Sequence, residues 1–172
     1  FKGYTQLQEH VRRRVSLNLA RPSERIRHEA RGAPPVRTAI DRAIASVFDV
    51  VRGNRFGQLI PPLVRANKVW VLSGETSQAG ALAFHSRLSM VRPDVRLLKE
   101  RSMSIDLGSA APGDAAVVFD FHRYRRQVVE AARILAATGV EMVVITDSPL
   151  SPLEELTDNW VEVDVPGIGP FD

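Results

Sequence analysis

Apolar positions change their period part-way along this chain. Up to about residue 65 they recur at helical spacing. Tyr4, Leu7, Val11 and Val15 predict an amphipathic helix over 4–20. Ile40, Ile44, Val47, Phe48 and Val51 predict a second long helix that Gly53-Asn54 stops. Phe56, Leu59, Ile60, Leu63 and Val64 predict a third, interrupted at Pro61-Pro62. From Lys68 onward, short apolar runs alternate with helical patterns. Strands are expected at Val69–Leu72, Val95–Leu98, Ala115–Phe119, Met142–Thr146 and Trp160–Val163. Helices are expected at 76–91, 124–138 and, briefly, 153–157, with Gly139 as a left-handed cap. This is the pattern of an α/β fold, a five-stranded parallel sheet sandwiched by helices and preceded by a short helical arm. If the strand order is flavodoxin-like, 2-1-3-4-5, the order reverses between the first and third strands, and a ligand crevice is expected at their carboxyl ends.

Two loops fall at that reversal. The first, Ser73-Gly-Glu-Thr-Ser77, puts three hydroxyls (Ser73, Thr76, Ser77) where a strand turns into a helix. Unpaired N–H groups and the helix dipole favour an anion there, although the same residue types also cap helices with no ligand. The second, Asp120-Phe-His-Arg-Tyr-Arg-Arg126, gathers three arginines, a histidine and a tyrosine. Cations at a helix N-terminus are unfavourable by roughly 0.3–1 kcal/mol each. An anion would relieve that cost, and so would solvent exposure or pairing with Glu130 one turn on. A third loop, Thr146-Asp-Ser-Pro-Leu-Ser-Pro152, offers hydroxyls and a carboxylate to complete a sugar pocket. Ser151 before Pro152 also reads as a helix cap.

Charge is uneven. Residues 1–37 hold nine Lys/Arg and three Glu, and residues 38–172 hold fourteen Lys/Arg and seventeen Asp/Glu, so +6 stands against −3. A basic arm on a mildly acidic body suits an anionic partner, or a solvated helix face. Arg31-Gly-Ala-Pro-Pro35 is the best linker candidate. The absence of cysteine excludes disulfides and thiolate metal sites and fits a cytoplasmic protein. No apolar run approaches the roughly 20 residues that span a bilayer, and no signal peptide is evident, so no membrane partner is expected. Acid–base candidates are Glu75, Asp120, His122 and His85, the last inside a helix, and nothing in the sequence places two of them around one carbon. No metal-ligand spacing and no cofactor motif is present, so no cofactor, metal or catalytic residue is assigned.

The order of these pieces resembles a known family. Residues 34–172 resemble the sugar isomerase (SIS) domain, and the whole chain resembles RpiR-type bacterial transcription regulators. In these, a helix-turn-helix domain precedes a SIS domain that senses a sugar phosphate. The resemblance rests on several segments: Phe1-Lys-Gly-Tyr-Thr-Gln-Leu-Gln8, the connector Arg21-Pro-Ser-Glu-Arg25, the first motif at Ser73–Ala81, Glu130-Ala-Ala-Arg133, and Ile145-Thr146 with Ser151-Pro-Leu153. It implies that residues 1–33 are the end of the helix-turn-helix domain plus a connector. The DNA-reading helix would precede Phe1, and the SIS domain would continue past Asp172. It also implies a homodimer or homotetramer. Its phosphate-binding serine falls on Ser77, while Ser73 and Glu75 stand where glycines are usual.

The second motif departs from the family's Ser-x-Ser-Gly-x-Thr. Its serines fall on Asp120 and His122, its glycine on Arg123 and its threonine on Arg125. An arginine then grips the phosphate, or the ligand is another anion such as a sugar acid, or the pocket is degenerate. The expected ligand set is Ser73, Glu75, Thr76, Ser77, Asp120, His122, Arg123, Arg125, Thr146 and Ser148. The expected function is the effector-binding region of a DNA-binding regulator that senses a small anionic sugar-type metabolite. A phosphosugar isomerase or lyase of the same fold is the alternative.

Overall fold

A computed structural model describes residues 36–99 and 102–166, with Tyr4 and Gln8 as isolated positions. Two compact units divide the chain, 1–41 with 166–172, and Arg42–Val165. In the first, Arg37 and Asp41 form an exposed ion pair at 3.7 Å. The expected 4–20 helix, the Ser23 cap, the Arg12–Arg14 cluster and the linker at 31–35 lie outside the described residues.

The second unit is the α/β body. Helix α1 (Val36–Arg52) runs into it from the first unit and stops at Gly53, whose N–H reaches the carbonyls of Asp49 and Val50. Two short helices follow, α2 (Asn54–Gln58) and α3 (Ile60–Arg65). The break falls at Leu59, ahead of the expected Pro61-Pro62. Both prolines sit in the first turn of α3, where a missing N–H costs no helical hydrogen bond.

The sheet then builds as β1 (Val69–Ser73), α4 (Gln78–Val91), β2 (Val95–Leu97), α5 (Met103–Leu107), β3 (Ala115–Phe119), α6 (Arg126–Ala137), β4 (Glu141–Thr146), a 3-10 turn at Glu154–Leu156, and β5 (Trp160–Glu162). All pairings are parallel, and the order is β2-β1-β3-β4-β5, as expected. Helix α5 was not foreseen. Helices α4 and α6 begin about two residues later than their patterns suggested, because the preceding loops hold polar contacts that a helical turn would break. The 153–157 helix is only a 3-10 turn. Its entry is closed by Ser151, whose hydroxyl accepts the Leu153 N–H at 3.3 Å. Gly139 takes φ +84° after α6, the left-handed geometry its position calls for.

Alternation along the strands makes two cores. Trp70, Leu72, Ala116, Val118, Met142 and Val144 face α6 through Val128, Val129, Ala132 and Leu135. Val69, Val71, Val117, Phe119, Val143 and Val161 face the other way, with Leu59 and Ala81. Both faces of the sheet are covered, which is why the strands read as continuous apolar runs. The long row Ile44, Val47, Phe48 and Val51 on α1 behaves differently: it forms the expected helix but stays exposed, and Val50 is the α1 residue that reaches the core.

Candidate anion-binding crevice

Register places Ser73 beside Phe119 and Phe119 beside Ile145, so the three loops of interest leave adjacent strands at one level. The first two are tied together. Gly74 N–H donates to the Phe119 carbonyl at 3.1 Å, and the Ser77 hydroxyl donates to the same oxygen at 2.7 Å and to the Gly74 carbonyl at 3.2 Å. Ser77 is 3% exposed and makes no side-chain cap to α4. Its hydroxyl proton is committed to the join between the corners.

Across the mouth, Arg125 pairs with Glu75. A cleft of about 550 Å³ opens there, at the carboxyl ends of β2, β1 and β3. Ser73, Gly74, Glu75, Gln78, Lys99, Arg125 and Gln127 give it polar walls, and Leu97, Leu98 and Met103 give it apolar ones. Of the ten residues expected from the sequence, three line this cleft: Ser73, Glu75 and Arg125. Thr76 is exposed in the turn beside it.

Asp120 lies under the join. It is 1% exposed, and its Oδ2 accepts the Arg125 N–H at 3.1 Å. Burial pushes its carboxyl up to about 7; the Arg125 N–H opposes this shift and the charge of Asp147 adds to it. Gly74 makes room for it: a Cβ on residue 74 would stand 2.4 Å from Asp120 Oδ1.

The remaining candidates form a second group, around Asp147. Its Oδ2 accepts the His122 N–H at 2.9 Å and lies 3.2 Å from His122 Nδ1, while Oδ1 accepts the Tyr124 hydroxyl at 2.8 Å. Burial, and then the bond to Asp147, push the Tyr124 hydroxyl up to about 12. Thr146 is fully buried; its Oγ1 finds no partner of good hydrogen-bond geometry, although it borders the Tyr124 hydroxyl. Ser148 Oγ accepts the Leu150 N–H at 3.1 Å and so shapes its own loop. Arg123 is exposed, with φ +69°. His85 sits inside α4, away from both groups. Arg126 pairs with Glu130 at 2.7 Å, one of the alternatives the sequence left open.

Sequence reasoning did not assign Asp147, Tyr124, Gln78 or Lys99 to the site. Asp147 was findable, since it is the first residue beyond β4 on the ligand side of the sheet. Lys99 follows β2 by two residues in the same way. Among the described residues, no group of acidic and histidine side chains is arranged to hold a metal ion, and no helix is long and apolar enough to cross a membrane.

The SIS domain family model matches residues 63–168, well over half of the chain. The chain belongs to the SIS domain family. Solved structures of similar fold agree with this assignment. The sugar isomerase domain of an RpiR transcription factor from Sphaerobacter thermophilus matches with TM-score 0.69 at 23% identity, over 77% of this chain and 76% of that one. The Vibrio vulnificus NanR protein complexed with ManNAc-6P matches with TM-score 0.68 at 14% identity, over 87% of this chain but 57% of that one. An E. coli CFT073 protein in complex with a sugar phosphate, arabinose 5-phosphate, matches with TM-score 0.62 at 18% identity, over 76% and 72%. A search of curated sequences gave no match. The SIS family assignment carries the fold and a coarse expectation of sugar-phosphate chemistry, and it includes regulators and isomerases alike.

Proposed function

We infer that this SIS chain is the effector-binding region of a DNA-binding transcription regulator, sensing a sugar phosphate or a related anionic metabolite. One observation carries the reading: the two corners at the strand-order reversal are joined, and their shared cleft has Arg125 and Lys99 in its walls. A planar guanidinium and an ammonium at the carboxyl edge of a parallel sheet suit a phosphate or carboxylate on a small polar body. Similarity to the RpiR and NanR proteins, one of them complexed with ManNAc-6P, supports the same reading.

In this proposal residues 34–172 are the sensing domain, and residues 1–33 are the end of a helix-turn-helix domain with its connector. DNA would be read by sequence preceding Phe1, in a homodimer or homotetramer. Ligand binding would bias the assembly between DNA-competent and incompetent arrangements, a coupling typically worth about 5–150-fold in affinity. The test is a mobility shift of the full-length protein on its own promoter region, titrated with ManNAc-6P, arabinose 5-phosphate and other sugar phosphates. A shift that moves with one of them is expected. Absence of DNA binding by the intact, folded protein defeats the proposal.

The His122–Asp147 contact favours a second reading, because a histidine held by a carboxylate is the arrangement of a general base and its orienting group. A phosphosugar isomerase would use it to move a proton between adjacent carbons. Turnover of aldose or ketose phosphates by the purified protein, lost in His122→Ala, would decide for it.

A further inference from the structure

The crevice contains one acidic group that an anion-binding role does not call for. Asp120 is buried, yet only the backbone of Gly74 and Arg125 separates its carboxyl from the cleft that those two residues line. Negative charge on a ligand in the cleft would therefore face negative charge on Asp120 across a thin, water-poor layer. Charges interact there far more strongly than in bulk water. The Arg125 N–H, a donor at the start of α6 of the kind that receives anions, is already spent on Asp120 Oδ2.

The geometry points to Asp120 as the charge selector of this cleft: an anionic ligand binds only when the Asp120 carboxyl is neutral, so each ligand is taken up with one proton. The inference rests on the cleft being an anion site.

The surroundings of Asp120 favour a neutral form when a second anion arrives. From the start of α6 it meets Arg125, whose guanidinium is engaged by Glu75. From the loop after β4 it meets the negative charge of Asp147, which His122 and Tyr124 hold in place. From the β1–α4 corner it meets Gly74 and a Ser77 hydroxyl turned to Phe119, neither of which titrates. Burial already lifts the carboxyl to about 7, so small changes in the cleft decide its state near neutral pH. The proton comes from solvent and is returned when the ligand leaves.

Calorimetry of the full chain with ManNAc-6P and arabinose 5-phosphate as probes tests this, between pH 6.5 and 8.5, in pairs of buffers with different ionisation heats. A phosphate monoester is already mostly dianionic above about pH 7, so it contributes little slope of its own there. The expected wild-type affinity falls toward tenfold per pH unit above 7, with uptake approaching one proton per ligand. Asp120→Asn keeps an acceptor for the Arg125 N–H. It should bind at least tenfold tighter than wild type at pH 8, with no slope and no uptake. If that variant fails to fold, wild-type proton uptake decides alone. Binding without uptake, or an unchanged slope in Asp120→Asn, overturns the selector. Failure of both probes to bind at every pH overturns the anion site itself, and the selector with it.

Discussion

The Ser77 hydroxyl donates to the Phe119 carbonyl oxygen at 2.7 Å and so fastens the first β–α corner to the third strand. This bond is internal to the fold, so Ser77→Ala should act on stability first. A buried donor is lost, while the Phe119 carbonyl still accepts from Gly74 N–H. A cost of about 0.5–1.5 kcal/mol is expected. Denaturant unfolding should show it. The ligand-induced shift in melting temperature should keep at least half its size; complete loss of that shift with stability unchanged would make Ser77 a ligand contact instead.

Gly74 is required by contact rather than by backbone angle. Gly74→Ala would drive a methyl group to 2.4 Å from Asp120 Oδ1, closer than atoms tolerate, at the backbone that joins the corners. Overpacking of this kind costs about 1–3 kcal/mol. Shortening the opposing side chain should recover much of it, so the Gly74→Ala, Asp120→Ala double variant should unfold later than the sum of its single variants predicts. Additive effects would show that the two residues do not press on each other.

The parallel sheet was legible because its strands are short apolar runs between helical patterns, and Gly139 and Gly113 mark turns at positive φ that few other residues take. The 2-1-3-4-5 order, and with it the adjacency of the Ser73 and Asp120 loops, followed from the fold class. What stayed hidden was partnership. Glu75 and Arg125 are fifty residues apart, and no local spacing announces that they meet. Asp147 looked like one polar residue among several after β4, and only the folded chain shows it drawing in His122 and Tyr124. Ser77 belongs to a residue type that caps helices or holds ligands equally well, and its turn toward Phe119 is a tertiary event. Arg123 is the converse case. The family's glycine falls on it, and the backbone keeps the left-handed conformation at φ +69° although the side chain has changed.

The Glu75–Arg125 pair stands in the way of an incoming anion. Both side chains are more than half exposed, so breaking the pair should change stability by less than about 1 kcal/mol. Its effect on binding should be larger, because Glu75→Gln leaves the Arg125 fork to the ligand. Tighter binding of ManNAc-6P or arabinose 5-phosphate is expected in Glu75→Gln, by about threefold to tenfold, and weaker binding by a similar factor in Arg125→Ala. Thermal shift titrations measure both. Equal affinities in the two variants would remove Arg125 from the site.

Arg123 holds a conformation that costs a non-glycine residue of order 1 kcal/mol or more. Arg123→Gly should be neutral or stabilising by up to about 1 kcal/mol, as far as its side-chain contacts allow, and Arg123→Val should destabilise by at least as much, since β-branching makes the left-handed region harder to enter. Chemical denaturation of the two variants gives the sign of each. A loss of stability in Arg123→Gly equal to that in Arg123→Val would show that the side chain, not the backbone, is what this loop requires.

Asp120 also sets a pH dependence of folding. Its carboxyl titrates at about 7 in the folded protein and near 3.8 when unfolded. Between those values the folded chain binds the proton and the unfolded chain has released it. Stability therefore falls as pH rises from about 4 to 7 and then levels, with an upper bound of about 4 kcal/mol from this group. Carboxylates that prefer the ionised form push the other way, so the contribution is isolated by difference. The stability gap between Asp120→Asn and wild type should widen in the variant's favour up to pH 7 and stay constant above it. A gap that does not change from pH 5 to pH 8 would mean that Asp120 is ionised throughout, and the charge selector would lose its physical basis.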